Sequence, residues 1–332
     1  MDHEKEFYAF KKIGITGGTG LIGETLIKML HDFRYQIIIF TRSKNRISDH
    51  PDVTYSHWDW ENKIIDGNLL RSCDYIIHLA GAGVMDHRWT KKYKKEIRDS
   101  RVLSSQFLID TLNAGPIKTR ALIGASAIGY YGPDKDLRNQ FMENDPHAKD
   151  FLGELCYEWE QTLLQPKREY IRTCLVRTGI VLSRDGGAFP ELKKLFKYKL
   201  VPIPGSGNQR LSWIHIADLC RLYIHLMHNP EIKGPVNAVA NLPLTLYEFM
   251  LRLGKKLKKK YMLINVPGFI LKIIKGEGAS EILKSTTVSN FLSRELGFVF
   301  KFGFIDDCLY DLTKANRLQV GYFNMPASEM EE

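Results

Sequence analysis

The chain has 332 residues, of which 44% are hydrophobic, enough for a buried core in one large or two unequal domains. Its formal net charge is +9, and a positive surface would attract a phosphorylated cofactor or an anionic substrate. No apolar run approaches the length of a membrane span, and the charged first residues do not resemble a signal peptide. We therefore expect a cytoplasmic protein without a membrane span.

The first informative segment is a glycine-rich loop between a short apolar run at residues 13–15 and an apolar-periodic run that begins at Leu21. Its glycines fit the spacings G-x-G-x-x-G and G-x-x-G-x-x-G. A strand, a glycine turn and a helix in this order are typical of a dinucleotide-phosphate loop. A glycine-rich turn without a ligand is the alternative, and we favour the nucleotide site. The expected cofactor contacts are Gly17, Thr19, Gly20, Leu21, Ile22 and Gly23.

The second predicted strand, residues 36–41, is followed by Arg42 where an NAD site would carry an acidic residue. A guanidinium suits the 2′-phosphate of NADP, so we prefer NADP(H) over NAD(H); a solvated strand-end charge is the alternative. Asp59, after the next strand, is either an adenine contact or an ordinary loop aspartate. The apolar strand that ends at His78 runs into Leu79, Ala80 and Gly81, small or apolar residues against which a cofactor could lie. His78 itself is expected to be a core histidine.

Predicted strands and helices continue to alternate along the chain. A strand at residues 121–125 leads to Ser126, Tyr130 and Tyr131, polar groups at the strand end where open α/β sheets bind ligands. We predict a Rossmann-type, doubly wound parallel sheet with a smaller, mostly helical C-terminal substrate region. Other predicted helices lie at 67–73, 89–112, 151–164, 246–260, 266–275 and 288–295, with one more that ends at His228. Other predicted strands lie at 53–55, 170–177 and 236–240. The expected division is an NADP-binding part at 11–182 plus 212–240, a substrate part at 183–211 plus 241–325, and tails at 1–10 and 326–332.

These motifs, taken in order, resemble the short-chain dehydrogenase/reductase superfamily in its extended, sugar-nucleotide-epimerase-like branch. The resemblance is closer to an atypical NAD(P)-dependent epimerase-like family with a distinctive C-terminal domain, and it covers residues 13–312. It implies an epimerase-like oxidoreductase that acts on a polar small molecule such as a sugar nucleotide. The segments that carry it are TGGTGLIG (16–23), HLAG (78–81), RWT (88–90) with SR (100–101), SAIGYYG (126–132), DFLG (150–153) with WE (159–160), RTGIVL (177–182), GG (186–187), GSG (205–207), SWIHI (212–216) with Asp218, and GPVN (234–237).

One departure from the superfamily concerns the proton relay. Ordinary members carry Tyr-x-x-x-Lys, in which the lysine lowers the pKa of the tyrosine. The corresponding helix here has Tyr157 followed four residues later by Gln161. Two other matches to the spacing are misplaced: Tyr8 with Lys12 precedes the first strand, and Tyr131 with Lys135 spans a Gly-Pro turn.

Replacements for the relay are inferred from position and from the resemblance. Ser126 resembles the catalytic serine, with one residue of register open against Ala127, and Tyr130 or Tyr131 could supply a phenol. Glu154, Glu158 and Glu160 lie on the relay helix, and we favour a helix-surface or helix-dipole role for all three. The resemblance also implies that Arg210 and His215 hold an anionic substrate group; a core strand with a satisfied histidine is the alternative.

Partners are constrained by the cysteines and lysines. The five cysteines are scattered without metal-ligand spacing, which favours core thiols in a reducing compartment and no metal site. Lysine clusters at 91–95, 193–199 and 255–260 are more typical of solvated helix faces than of a nucleic-acid site. We expect a monomer or homodimer with a small-molecule substrate. A non-catalytic NADP-sensing or scaffold protein is the alternative function.

Overall fold

The computed structural model describes residues 11–31, 33, 35–135, 140–166 and 171–314. The predicted tails at 1–10 and 326–332 lie outside these residues, as does Tyr8. The described strands are β1 (Lys12–Thr16), β2 (Gln36–Thr41), β3 (Val53–Asp59), β4 (Ile64–Ile65), β5 (Tyr75–His78), β6 (Ala121–Ala127), β7 (Arg172–Thr178), β8 (Ile180–Leu182), β9 (Leu200–Pro204), β10 (Arg210–Leu211), β11 (Trp213–His215), β12 (Gly234–Ala238), β13 (Leu244–Thr245) and β14 (Met262–Val266).

The described helices connect and cover these strands. They are α1 (Leu21–His31), α2 (Gly67–Arg71), α3 (Lys91–Asn113), α4 (Phe151–Leu163), α5 (Ala188–Leu195), α6 (Ile216–His228), α7 (Leu246–Lys256), α8 (Gly268–Lys275), α9 (Ala279–Leu283), α10 (Phe291–Glu295) and α11 (Ile305–Thr313). Among the described residues, no helix is both long and apolar enough to cross a membrane.

Eight strands form the central sheet, in the order β12-β7-β6-β5-β1-β2-β3-β4. All neighbours are parallel except β3 and β4. The inner strands are continuous apolar runs because helices cover both faces of the sheet. Ile13, Ile15 and Ile77 pack with α1 and α6 on one face, whereas Ile76 and Leu122 pack with α3 and α4 on the other. The predicted doubly wound parallel sheet is confirmed.

The strand order reverses at β1. This strand pairs with β2 on one side and with β5 on the other, so the chain moves outward in one direction and then returns to build the other half. Ligands of open α/β sheets bind at the carboxyl ends of strands where the order reverses. The glycine loop follows β1, and residues 79–81 follow β5, so both border this crevice.

The C-terminal region contains helices together with short strands that the sequence analysis did not identify. β9 pairs in parallel with β14, and β10 pairs antiparallel with β13. Two predicted helices are also too long. The helix at 246–260 ends at Lys256, and Lys258 just beyond it has a φ of +52°, which no α-helix accommodates. The helix at 288–295 begins only at Phe291.

Candidate functional site

Two glycines of the loop after β1 occupy positions where a side chain does not fit. Gly17 has a φ of +69°, and a Cβ there would stand 2.7 Å from the carbonyl carbon of Leu79. A Cβ on Gly23 would stand 2.5 Å from the Cα of Gly18. The loop therefore packs against both the start of α1 and the segment after β5, a backbone approach that requires glycine.

Free backbone amides face outward where the loop enters α1. The amide of Gly20 donates to the carbonyl of Gly17 at 3.1 Å and closes the turn. The amides of Leu21 and Ile22 donate to no atom of the described residues. A helix N-terminus with free N–H groups and a positive dipole end binds phosphate. The loop therefore fits the pyrophosphate of a dinucleotide, and Thr19 lies within it at the same edge of the sheet.

Arg42 and Asp59 follow neighbouring strands at this edge. Arg42 comes directly after β2, and its side chain is exposed, so its guanidinium is available to a ligand. Asp59 instead binds its own loop: its carboxylate accepts hydrogen bonds from the amides of Glu61 and Asn62 and from the Asn62 side chain. The hydrogen bonds from Asn62 lower the pKa of Asp59. This geometry favours a loop aspartate, and its contact with adenine stays a prediction.

A buried polar ladder connects β1 to α4. Thr16 Oγ1 lies 2.7 Å from His78 Nδ1, and His78 Nε2 lies 3.0 Å from Ser105 Oγ on α3. Ser105 Oγ also accepts a hydrogen bond from Trp159 Nε1 at 3.0 Å. Burial lowers the pKa of His78 to about 3, so the imidazole is neutral at pH 7. His78 is thus the core histidine that the sequence predicted.

Residues 79–81 connect this ladder to the cleft. The amide of Leu79 donates to the carbonyl of Thr16 at 3.0 Å, which holds the segment against the glycine loop. Gly81 is exposed, and a Cβ there would stand 3.2 Å from Cζ of Arg101 on α3. The sequence analysis quoted Arg101 as part of a motif but gave it no role.

A second buried network surrounds Arg177 at the end of β7. Its Nε and Nη2 donate to the two carboxylate oxygens of Glu160 at 2.8 and 2.7 Å, and Nη1 donates to the Tyr131 hydroxyl at 2.9 Å. The Ser126 hydroxyl donates to Glu160 at 2.6 Å, and the Tyr131 hydroxyl donates to Asn237 at 2.6 Å. Burial alone would lower the pKa of Arg177, but hydrogen bonds and the charge of Glu160 raise it above its ordinary value.

This network changes the interpretation of two predicted catalytic groups. Ser126 and Tyr131 are 4% and 2% exposed, and both donate their hydroxyl protons to interior acceptors. Successive side chains of a strand point to opposite faces, so the β6 face that carries Ser126 is turned toward α4. The geometry favours a supporting role for both groups. Their role in catalysis stays a prediction.

Tyr130 differs from these two because its hydroxyl donates no hydrogen bond to an acceptor among the described residues. The Arg177 guanidinium lies 3.5 Å from its ring centroid, and the residue is 9% exposed. Burial raises the pKa of Tyr130, and the charge of Arg177 opposes that shift. Tyr157, which lies on the helix where ordinary members carry Tyr-x-x-x-Lys, is exposed and stacks on His147 with a centroid distance of 4.2 Å.

Arg210 and His215 lie in different surroundings. His215 is 1% exposed, accepts a hydrogen bond from the amide of Ala217 as the N-cap of α6, and has Nε2 3.3 Å from Asp311. This favours the structural interpretation of a satisfied core histidine. Arg210 is half-buried in β10, and its amide donates to Ser285 Oγ at 3.0 Å. Substrate binding by either residue stays a prediction.

One prediction about the glutamates of α4 is wrong. Glu160 is not on the helix surface: it is 3% exposed and forms the ion pair with Arg177. Its face could not be assigned from sequence because Arg177 lies on another element. Glu154 is exposed and pairs with Lys149, and Glu158 is half-buried and pairs with Arg98, as expected for a helix surface.

A further segment reaches the glycine loop from the C-terminal side. Gly187 has a φ of +72°, and a Cβ on Gly186 would stand 3.2 Å from Cδ1 of Leu21. Residues 186–187 therefore close over the start of α1. The sequence analysis quoted this glycine pair as part of the resemblance but gave it no role.

One group of side chains could hold a metal ion, whereas the sequence predicts no metal site. Within the described ranges, His31, His50 and Asp52 offer ligand atoms that lie within 4.8 Å of one another. His31 is the last residue of α1, and His50 and Asp52 precede β3, so the group lies at the amino-end edge of the sheet and away from the crevice. The absence of a metal therefore stays a prediction.

Comparison with known proteins identifies relatives along nearly the whole chain. Residues 13–240 match the model of the NAD dependent epimerase/dehydratase family. The chain is 35% identical over 306 residues to the chloroplastic epimerase family protein SDR39U1 homolog of Arabidopsis thaliana, covering 90% of this chain and 85% of that protein. It is 33% identical to epimerase family protein SH2119 of Staphylococcus haemolyticus, covering 92% and 100%.

Solved structures show the same fold. Human epimerase family protein SDR39U1 (isoform 2) with NADPH superposes with a TM-score of 0.81 at 26% identity, covering 91% of this chain and 98% of that chain. MoeE5 in complex with UDP-glucuronic acid and NAD gives a TM-score of 0.73 at 17% identity, covering 91% and 97%, and supports the fold alone. The resemblance drawn from the sequence motifs is confirmed at the level of the family.

Proposed function

The chain belongs to the NAD dependent epimerase/dehydratase family and is an NAD(P)-binding epimerase-like protein, and from this we propose that it uses NADP(H) to act on a polar small molecule. The observation that carries the proposal is the glycine loop with free amides next to a strand end that bears Arg42. A guanidinium there suits a 2′-phosphate, and an acidic residue that would hold the ribose of NAD is missing. The human relative that was solved with NADPH supports this choice.

The substrate occupies the crevice beyond the ends of β5 and β6, under the C-terminal region. The nucleotide part spans 11–182 plus 212–240, and the substrate part spans 183–211 plus 241–325. Residues 186–187 lie over the glycine loop, so the two parts meet at the cofactor. A sugar nucleotide is the proposed substrate class, in line with the fold relatives that bind one.

Bound NADP(H) would supply hydride transfer at a carbon that bears a hydroxyl or carbonyl group. The protein must move the proton of that hydroxyl, and we assign this transfer to Tyr130: its phenolate accepts the proton when the hydroxyl is oxidised, and its phenol donates the proton when the carbonyl is reduced. Ser126 and Tyr131 position Glu160 and Arg177 instead, because their own protons are donated to interior acceptors. The Arg177 guanidinium at the Tyr130 ring stands in for the cation that a lysine provides in ordinary members of the superfamily.

A substitution pair tests this step. Purified full-length protein is screened for turnover with NADPH or NADP on a panel of sugar nucleotides and carbonyl compounds. Tyr130→Phe should lower turnover about 100-fold and leave the Kd for NADPH within about twofold, because only the proton transfer is lost. Tyr157→Phe is the matched control, since it removes an exposed phenol on α4. Loss of turnover in Tyr157→Phe alone would move the step to Tyr157.

The second candidate function is a non-catalytic NADP sensor or scaffold, which the missing Tyr-x-x-x-Lys pair motivates. NADPH binding without turnover across the whole panel would favour the sensor. Stereospecific transfer of deuterium between the nicotinamide and any panel compound would exclude it.

We further propose a cytoplasmic monomer or homodimer; the five cysteines are buried and free, as a reducing compartment permits.

A further inference from the structure

The guanidinium of Arg101 packs against the segment that follows β5, at the edge of the sheet where the cleft is proposed. Arg101 lies on α3, its Cζ is 5.2 Å from the centroid of Trp159, and Gly81 packs against it so closely that a Cβ would stand 3.2 Å from Cζ. Gly81 lies in the segment after β5. In the same segment, the amide of Leu79 donates to the carbonyl of Thr16 at the start of the glycine loop. Trp159 and Cys156 lie on α4, and the Cys156 thiol bonds to the backbone of Ala127 at the end of β6.

The charge of this guanidinium has no carboxylate to offset it among the described residues. Its only protein acceptor there is the carbonyl of Ile97, 3.1 Å from Nη1. The ionisable groups that act on it are the Cys156 thiol and the Tyr93 phenol, which are both neutral at pH 7. Burial raises the pKa of Cys156 to about 12 and also raises that of Tyr93. Burial lowers the pKa of Arg101 itself.

Two nitrogens of Arg101, which form one edge of the guanidinium, stay available as hydrogen-bond donors. Nε and Nη2 make no hydrogen bond to the described residues, and neither is among the side-chain atoms sealed from solvent. Together they form the fork that binds both oxygens of a carboxylate. Arg98, one turn earlier on the same helix, binds Glu158 in this way through its Nε and Nη2.

We propose that Arg101 is the anion-recognition residue of the cleft and that it binds a carboxylate of the substrate through Nε and Nη2. The inference rests on the proposed function and narrows its substrate to an acidic compound. A desolvated charge without a counter-charge is unfavourable in the unliganded protein, and an anionic ligand relieves that cost. The same oxygen chemistry is found in the cofactor pyrophosphate, so the experiment has to separate the two sources.

The test measures thermal stabilisation of the full chain by acetate, malonate and glucuronate, with chloride at equal ionic strength as reference. It is run with and without NADPH on the wild type, Arg101→Met, Arg101→Lys and the surface control Arg98→Met. At least one carboxylate should stabilise the wild type and Arg98→Met saturably, beyond chloride. Arg101→Met should lose this response, and Arg101→Lys should weaken the carboxylate about tenfold because it keeps the charge without the fork.

Three outcomes would overturn the proposal. One is a wild type that responds to no carboxylate beyond chloride, and another is an equal response in Arg101→Met. The third is an NADPH affinity that falls about tenfold or more in Arg101→Met while any carboxylate response persists, which would assign the guanidinium to the cofactor. If Arg101→Met does not fold, the comparison of Arg101→Lys with Arg98→Met decides. If the wild type does not bind NADPH, the proposed function is contradicted. The carboxylate response measured without NADPH still tests the role of Arg101 in that case.

Discussion

Two arginines meet α4 at consecutive residues and have opposite surroundings. Arg177 reaches Glu160, and all three of its nitrogens have acceptors: the carboxylate, the Tyr131 hydroxyl and the carbonyl of Glu143. Arg101 lies over Trp159, and one of its nitrogens has an acceptor among the described residues. The helix α4 thus contacts one guanidinium whose charge is compensated by a carboxylate and a second whose charge is not.

The difference between the two arginines suggests a structural role for Arg177 and a ligand-binding role for Arg101. A buried ion pair whose hydrogen-bonding groups are all satisfied holds elements together, and here it joins β6, β7 and α4 behind the site. A guanidinium with open donors beside the segment after β5 is expected to contribute little to folding and to be available to a ligand. Proteins that depart from full compensation do so mostly at functional sites.

The largest expected loss of stability comes from removing Arg177, whose charge is compensated. Arg177→Met should lower the free energy of unfolding by about 3–5 kcal/mol, because Glu160 is left buried without its counter-charge. Arg101→Met should change it by less than about 1 kcal/mol, or raise it, because no buried partner is abandoned. Urea denaturation of both variants measures the contrast. Equal losses of stability in the two variants would contradict the distinction between the arginines.

The polar ladder sharpens the comparison through pH. Burial lowers the pKa of His78 to about 3 from 6.5, so below pH 6.5 the unfolded chain binds a proton that the folded chain does not. Stability therefore falls as the pH decreases from 6.5 toward 3, and His78 accounts for about 2 kcal/mol of the loss between pH 7 and pH 5. His78→Gln should reduce the loss by that amount in urea denaturation at the two pH values.

A second buried histidine gives an internal comparison for this measurement. Burial lowers the pKa of His228 to about 4, so His228→Gln should remove a similar share between pH 7 and pH 5. The two effects should add, since His78 lies on β5 and His228 lies on α6. An unchanged pH dependence in His78→Gln would show that the imidazole is not held neutral.

The local parts of the molecule could be predicted from the sequence. The glycine loop, Arg42 after β2 and the small residues after β5 follow from spacing and apolar runs within a few residues, and the sheet follows from their alternation. Ser126 shows where that reasoning ends. A shift of one residue in register reverses the face of a strand, and position alone left Ser126 and Ala127 open.

The charge pairing could not be predicted because its partners are distant in the chain. Arg177 and Tyr131 are 46 residues apart, and Tyr131 and Asn237 are 106 apart. Glu160 looked like a surface residue because the helix pattern does not reveal what lies across from it. Arg101 has no signal beyond its motif, since the lack of a carboxylate is visible only when the neighbours from α4 and the loop after β5 are in place.

The most direct test of the central claim, NADP(H) bound with its 2′-phosphate at the end of β2, is the pair of affinities for NADPH and NADH. They are measured by titration of the wild type, Arg42→Asp and the control Lys233→Asp, which makes the same charge change before β12 at the opposite edge of the sheet. The account predicts that the wild type prefers NADPH. It also predicts that Arg42→Asp weakens NADPH about tenfold or more with little effect on NADH, and that Lys233→Asp changes neither. A wild type that binds no NADPH, or an equal loss of both cofactors in Arg42→Asp, would contradict it.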